Sequence, residues 1–376
     1  MSAFGGKADI GRLPRRSGPC GAATSNVLVF AKMDCPDLGK AALLRFALIL
    51  AVTSTLLYPA DAFTPTADQN LCATVPANAD AVAACTRIIE APSSSTLDHT
   101  VSYTFRADAA RADGNTAAAI ADYSHALELM PTLVPALSGR GIAYRNVQNY
   151  DLSLRDFDQA IAIQPDNAEL YNSRGITYRM NGDTTRAMAD FDKAIKLEPG
   201  NAAAFNSRGN VYADLKQPDQ AIADFTQAIK LDRTYANAYF NRGNVEADDK
   251  NQPDKAIADF STAIKLDPSM TNAYVSRAVA YSRKNNTAAA LADLNTAIGR
   301  QPDLERAYFC RGILHFNTGD NVDAEADFNK AIELDPQDAK ALYGRGLAKH
   351  RNGDATGGDA DMAGARALDP YVEKRM

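Results

Sequence analysis

The sequence is poor in histidine and lacks an excess of positive charge, and both shortages exclude classes of function. Its four histidines lie far apart, which leaves no H-E-x-x-H zinc motif. The 40 Lys and Arg residues are outnumbered by 46 Asp and Glu, which gives a formal net charge of −6. An acidic chain has no electrostatic footprint for nucleic acid, so we expect no nucleic-acid partner.

Catalytic and phosphate-binding motifs are also missing. There is no G-x-S-x-G nucleophile elbow and no G-x-x-x-x-G-K phosphate loop. The acidic residues of segment 354–361 do not have the spacing of a calcium loop. We therefore predict that the protein is not an enzyme and that it holds neither a metal nor a cofactor.

A short apolar run stands near the N-terminus. Residues 46–58 carry no charge, follow Lys40 and Arg45, and precede a small-residue A-D-A sequence that ends at Ala62. A basic segment, a short apolar run and an A-x-A site are typical of a secretory signal peptide. Thirteen residues are few for a membrane-spanning helix, although an uncleaved signal anchor is the alternative.

Met33 lies at the usual distance before this run. We interpret residues 33–62 as the signal peptide and residues 1–32 as a mis-called or disordered extension. The protein is then expected in the periplasm or outside the cell, with a membrane contact only if the signal stays as an anchor.

Segment 63–97 contains two nearby cysteines and an apolar-periodic stretch over 79–91, which we expect to be a capping helix. Cys72 and Cys85 can form a disulfide in an oxidising compartment; two separate buried thiols are the alternative. Cys310 is left over and is expected to pack as a small apolar residue.

A period of 34 residues runs from 98 to 370 and defines eight units, with a tail over 371–376. Each unit has two apolar-periodic stretches separated by a turn, which predicts two helices. A proline closes every unit except the fourth, where Arg233 takes its place; these are Pro131, Pro165, Pro199, Pro268, Pro302, Pro336 and Pro370. Proline cannot continue a helix, so it ends the second helix of its unit.

Two packing positions recur in the second helix of every unit. A small residue lets neighbouring helices approach closely, and a large apolar residue three positions earlier lies on the same helix face. The small residues are Ala126, Ala160, Ala194, Ala228, Ala263, Ala297, Ala331 and Ala365; the large ones are Tyr123, Phe157, Phe191, Phe225, Phe260, Leu294, Phe328 and Met362.

The sequence resembles the tetratricopeptide repeat family, in its exported bacterial form. The resemblance rests on the period, on the Ala, aromatic and Pro positions, and on a Gly and a Tyr three positions apart in the first helix, such as Gly141 and Tyr144. The resemblance covers residues 98–370. It implies an all-α fold, an α-solenoid of helix-turn-helix repeats that forms a right-handed superhelix. It also implies a protein or peptide partner, although a fold does not fix a function.

One feature departs from the usual pattern of that family. Every unit has an Arg before the first-helix Gly and an Asp before the second-helix large residue, 16 or 17 positions later. We predict a ladder of Arg–carboxylate pairs between facing helices, because the planar guanidinium can hold a carboxylate with two hydrogen bonds; binding of an anionic ligand is the alternative. The pairs include Arg140–Asp156, Arg174–Asp190, Arg208–Asp224 and Arg311–Asp327.

By the same resemblance, the first helices line a concave groove in which a peptide binds. An Asn amide in such a groove can both donate to and accept from an extended peptide backbone. The predicted polar or basic groove residues lie in units 2–5 and are Arg145, Asn172, Arg179, Asn206, Asn210 and Asn244. The predicted aromatic groove residues lie in units 5–8 and are Phe240, Phe309 and Tyr343. Ordinary solvated Asn side chains, and packing of Phe240 and Phe309 within their own units, are the alternatives.

Three functional hypotheses follow from these features. The first is a non-enzymatic scaffold in a bacterial envelope that holds a protein or peptide in its groove. The second is a structural subunit that assembles with its own copies as a homo-oligomer. The third is an intracellular adaptor, which applies if the signal is not cleaved.

The signal predicts a defined mature N-terminus. Because A-D-A follows the apolar run, cleavage after Ala62 should leave Phe63 as the first residue. N-terminal sequencing of the exported protein measures this directly, and an intact Met1 or Met33 would exclude a cleavable signal.

Overall fold

The computed structural model describes residues 66–74 and 78–376, so the predicted signal peptide lies outside the described residues. The described part contains 19 helices and no strand, which confirms the all-α solenoid of helix-turn-helix repeats. None of its helices is both long and apolar enough to cross a membrane.

The helices alternate in the order that the sequence period predicts. Helices α3 to α18 supply one first helix and one second helix to each of the eight units. The bounds are α1 (Ala67–Cys72), α2 (Ala79–Glu90), α3 (Thr96–Ala112), α4 (Thr116–Leu129), α5 (Val134–Asn146), α6 (Tyr150–Ile163), α7 (Ala168–Met180), α8 (Thr184–Leu197), α9 (Ala202–Asp214), α10 (Pro218–Leu231), α11 (Ala236–Asp248), α12 (Pro253–Leu266), α13 (Thr271–Arg283), α14 (Thr287–Arg300), α15 (Glu305–Thr318), α16 (Asn321–Leu334), α17 (Ala339–Asn352), α18 (Ala355–Leu368) and α19 (Val372–Arg375).

The chain divides into two compact units within α9. One extends to Val211 and the other from Tyr212 to Met376. We call their described parts the N-terminal half and the C-terminal half.

The turn inside each repeat is built in a constant way. One residue with positive φ precedes the N-cap of the second helix, as at Gly182, where φ is +81°. The cap that follows is an Asx side chain in most repeats; Asp183, for example, accepts a hydrogen bond from the backbone N–H of Arg186. Helices α10 and α12 begin instead with a proline, whose missing N–H needs no cap.

Close packing explains the recurring small and aromatic residues. Phe191 and Ala194 of α8 are fully buried. The facing Gly175 leaves room for the Phe191 ring, because a Cβ added there would lie 2.7 Å from Phe191 Cε1. A larger residue at this Gly would therefore force the two helices apart.

The N-terminal end carries a helix that the sequence did not reveal. The predicted capping helix is present as α2, and α1 precedes it. The Sγ atoms of Cys72 and Cys85 lie 2.09 Å apart, at bonding distance, and both residues are buried with Ile88. The structure thus brings together the two cysteines that the sequence pairs, while their oxidation in the cell stays a prediction.

The C-terminal segment is ordered as a short helix, where the sequence suggested only a tail. Val372 of α19 is fully buried and Met376 is 7% exposed, both in the core of the C-terminal half. Cys310 is buried in the same core. Its sulfur is disulfide-bonded, so the expectation of an unpaired, small apolar residue is wrong.

The disulfide should be present in protein purified from the cell envelope. Closing a loop of this size stabilises the folded state by about 3 kcal/mol in the unfolded-chain model, so reduction should lower the unfolding midpoint. Peptide mapping without reductant should recover residues 72 and 85 in one linked species. Recovery of both as alkylatable thiols would contradict the bridge.

Candidate functional site

Seven of the eight first-helix arginines of the ladder hold the carboxylate of the following helix with two parallel hydrogen bonds. Arg140 Nε and Nη2 donate to the two oxygens of Asp156, each at 2.8 Å. Six other pairs have the same geometry at 2.6 to 2.9 Å: Arg106–Asp122, Arg174–Asp190, Arg242–Asp259, Arg277–Asp293, Arg311–Asp327 and Arg345–Asp361.

The carboxylates of these seven pairs are almost completely buried, with 5% to 9% of each Asp exposed. A buried carboxylate needs a cation and full hydrogen bonding to remain ionised. The predicted pair Arg208–Asp224 joins residues on opposite sides of the division at Val211, and it stays a prediction.

Every ladder arginine also donates a third N–H to an acceptor on a helix that precedes its own. Arg174 Nη1 donates to Asp158 Oδ1 of α6 at 2.7 Å, so one guanidinium joins α6, α7 and α8. The other acceptors lie at 2.6 to 3.1 Å and are Thr86, Ser124, Asp192, Thr226, Ser261, Asn295 and Asn329.

The sequence contained a signal for these acceptors that our sequence analysis missed. In units 1 to 7 the residue two positions after the ladder Asp is Ser, Asp, Asp, Thr, Ser, Asn and Asn, all of which can accept a hydrogen bond. In unit 8 the same position is Ala363.

Aromatic rings enclose the same guanidinium groups. The Arg174 guanidinium lies 5.6 Å from the Tyr171 ring and 5.7 Å from the Tyr178 ring. Its hydrogen bond to Asp190 is the main cause of a raised pKa, so it stays charged at every working pH. These contacts occupy the hydrogen-bonding groups of the guanidinium, which favours a structural role of the ladder arginines over an anion-binding row.

The position three residues after the first-helix Gly faces the ladder carboxylate. Four units replace the usual Tyr there: unit 1 has Ala110, and three others have an ionisable residue. Lys349 Nζ lies 3.0 Å from Asp361 Oδ2, and His315 Nε2 lies 4.0 Å from Asp327 Oδ2. Glu246 has a buried Oε2 for which the described residues supply no hydrogen-bond partner. Burial, and then the nearby Asp259, raises the pKa of Glu246.

The first helices of the N-terminal half carry five of the predicted groove residues, all polar or basic, which we call the first-helix face: Arg145, Asn172, Arg179, Asn206 and Asn210. Asn172 is 6% exposed, and its Oδ1 has no hydrogen-bond partner among the described residues. Asn206 is also buried, while Asn210 and Arg179 are half-buried.

Arg145 is the cation of this face that lacks an acidic partner. Its Nη1 donates to the backbone carbonyl of Ser173 at 3.0 Å, and no carboxylate of the described residues lies within ion-pair distance. Burial, and then the neighbouring Arg111, lowers the pKa of Arg145 to about 10. The group therefore keeps its charge at neutral pH in a site with no compensating negative charge.

The predicted aromatic groove residues of the C-terminal half are engaged within their own units. Phe309 is 4% exposed and lies against Phe328, with ring centroids 6.0 Å apart. Phe240 is half-buried against Phe260 at 5.9 Å. This is the packing role that the sequence left open as the alternative, and a buried Phe309 ring offers no free surface to a ligand.

Tyr343 and Asn244, the remaining predicted residues of the C-terminal half, are half-buried. Burial, followed by nearby Glu373 of α19, raises the pKa of Tyr343. The C-terminal helix thus lies against one of the predicted groove positions.

Sequence models described as tetratricopeptide repeat match residues 139–202, 191–223, 246–305 and 305–338, and one described as TPR repeat matches 209–247. Together the matches run from 139 to 338, more than half of the chain. A comparison with curated proteins gives no match.

Solved structures with the same fold cover most of the described helices. PilW, a widely conserved type IV pilus biogenesis factor, is 23% identical with a TM-score of 0.52, over 55% of this chain and 96% of its own. A tetratricopeptide repeat protein from Parabacteroides merdae is 19% identical with a TM-score of 0.50, over 66% of this chain and 98% of its own. A chain of the APC/C hetero-tetramer Cut9–Hcn1 is 13% identical with a TM-score of 0.58, over 82% of this chain and 62% of its own. At these identities the likeness shows the fold alone.

Removing one ladder arginine should destabilise the repeats strongly. Arg174→Leu leaves Asp190 buried and without its cation, a change that costs about 3–5 kcal/mol when the remaining charge cannot reach water. Chemical denaturation measures the loss. Arg155→Leu is the matched control, because Arg155 is exposed and should change stability by about 0.5 kcal/mol or less. Equal midpoints for the two variants would show that the ladder does not contribute to stability.

Proposed function

We propose that this chain, which belongs to the tetratricopeptide repeat family, is a non-enzymatic scaffold that binds a protein partner through an extended segment lying on the first-helix face. The observation that carries the proposal is the buried, unbonded amide oxygen of Asn172. The cell envelope is the proposed location, on the strength of the signal sequence over 33–62.

An unbonded polar atom at this depth works against folding. A buried acceptor without a partner costs about 1–3 kcal/mol, because it loses its hydrogen bonds to water and gains none in return. By contrast, both carboxylate oxygens of the buried Asp190 on the next helix are hydrogen-bonded. An extended peptide segment could supply a backbone N–H to Asn172 Oδ1 and a carbonyl to its Nδ2.

The charge on the same face indicates what kind of segment fits. Arg145 lies on α5, the first helix of unit 2, and Asn172 lies on α7, the first helix of unit 3. Arg145 has no carboxylate partner among the described residues. A partner segment that brings a negative or carbonyl oxygen near this guanidinium would be favoured over a basic one.

Asn172→Leu separates a binding role from a structural one. The change keeps the number and branching of the side-chain heavy atoms and removes the unbonded amide, so stability should stay the same or rise. Loss of two hydrogen bonds worth about 1 kcal/mol each should weaken partner binding by about tenfold or more.

The measurement is crosslinking capture from the native envelope, followed by titration of the captured partner against each purified variant. Asn181→Leu is the matched control, since Asn181 is an exposed turn residue of the same unit and should bind as wild type. Undiminished binding by Asn172→Leu would refute the proposal. If the captured species is the chain itself, light scattering will show an oligomer and favour the self-assembly hypothesis.

A further inference from the structure

Helix α2 stands in front of unit 1 in the place of a second helix. Its Thr86 Oγ1 accepts a hydrogen bond from Arg106 Nη1 of α3 at 3.1 Å. Ser124 of α4 accepts from the ladder arginine of unit 2 at the same distance and in the same way. The residue before Ser124 is Tyr123, which is fully buried against the first helices, and the residue before Thr86 is Cys85. Cys85 therefore occupies the place of the large packing residue of a repeat.

Helix α1 takes the place of the matching first helix. It contacts α2 and also α3, as the first helix α3 contacts both α4 and α5. Gln69 Nε2 donates to Asp98 Oδ1 of α3 at 2.6 Å, which joins α1 to unit 1. The pair of helices α1 and α2 is thus a shortened repeat at the N-terminal end. At its centre the disulfide from Cys72 to Cys85 replaces the packing of a large side chain.

Apart from the disulfide, little fastens α1 to the array. Cys72 is its one buried residue, and Leu71 is only half-buried. Asp68 forms an ion pair with Arg87 of α2, but both side chains are exposed, and such pairs contribute little to stability. A helix of six residues is not stable by itself in water. The bond at Cys72 is therefore the main link that keeps α1 folded in its place.

Helix α2 has anchors of its own. Its Ala81, Ala84 and Ile88 are buried. Its Thr86 is bonded to Arg106, which the carboxylate of α4 holds with two further hydrogen bonds. Opening the disulfide should therefore release α1 and leave α2 in position.

We propose that the bond between Cys72 and Cys85 is a redox-dependent lock on the N-terminal end of the array. With the bond closed, α1 is the outermost member of the row of first helices. With the bond open, α1 unfolds while α2 and the eight units stay folded. The row is then shorter by one helix, and the apolar cluster that Cys72 completes with Ile88 and Phe105 is opened to water.

A dithiol reductant supplies the chemistry that opens the lock. One thiolate of the dithiol attacks a sulfur of the bridge and displaces the other cysteine as a thiolate. The second thiolate of the dithiol then releases the first cysteine, and the reductant leaves as a disulfide. Two electrons pass to the protein, and the two cysteine sulfurs take up the protons that the dithiol loses. An oxidising compartment keeps the lock closed.

Amide hydrogen exchange on the full chain measures the lock helix by helix. The reporters are the amides of Asn70 and Ala73, which are bonded to the carbonyls of Thr66 and Gln69 while α1 is helical. They should be protected in the oxidised wild type. In Cys72→Ala, and in wild type reduced with dithiothreitol, they should exchange about a hundredfold faster, since a bridge across a loop of this size shifts a folding equilibrium by about that factor. Helices α3 and α4 should keep their protection.

Cys310→Ala is the matched control, because it removes the third cysteine of the described residues and leaves the bridge intact. Its α1 should be as protected as that of wild type. Equal protection of α1 with and without the bridge would overturn the proposal, as would an unprotected α1 in the oxidised wild type. Loss of protection throughout α1 to α4 would also overturn it, since the bond would then be a general staple of the N-terminal half.

Discussion

The arginine that joins three helices is the interaction on which the repeats depend. Arg174 satisfies both oxygens of a buried carboxylate and reaches back to the preceding second helix with another N–H. Lysine could not make this arrangement, because its ammonium is a compact point charge without a planar fork. A hydrophobic pair could fill the same volume, but it would not define which helices must be adjacent.

The recurrent features could be predicted from the sequence because the period repeats each of them many times. The helix pairs, the small and aromatic packing positions and the Arg–Asp pairs all recur at one spacing. The additional acceptors, such as Asp158, were equally periodic and could have been recognised. Features that occur once gave no such signal, because α1 and α19 have no counterpart in the repeat sequence to align with.

The candidate site was less predictable for a different physical reason. An apolar residue on a first helix can face a ligand or its own second helix, and helical periodicity does not distinguish two apolar directions when both are buried. Phe309 illustrates this, since its position suggested a groove and its ring lies in the core. Asn172 shows the converse. A buried amide that violates the rule of polar satisfaction is the kind of local conflict that is concentrated at functional sites, yet its burial is visible only in the folded chain.

The alanine at position 363 has a consequence for how such an array can change length. A unit duplicated anywhere among the first seven would carry its own acceptor and offer it to the arginine of the next copy. A copy appended after the eighth unit would direct its arginine to a methyl group, and the buried Val372 of α19 would stand in its way. Gene duplication could thus lengthen this protein from within, while growth at its final repeat would first require that one side chain to be exchanged and the closing helix to be displaced.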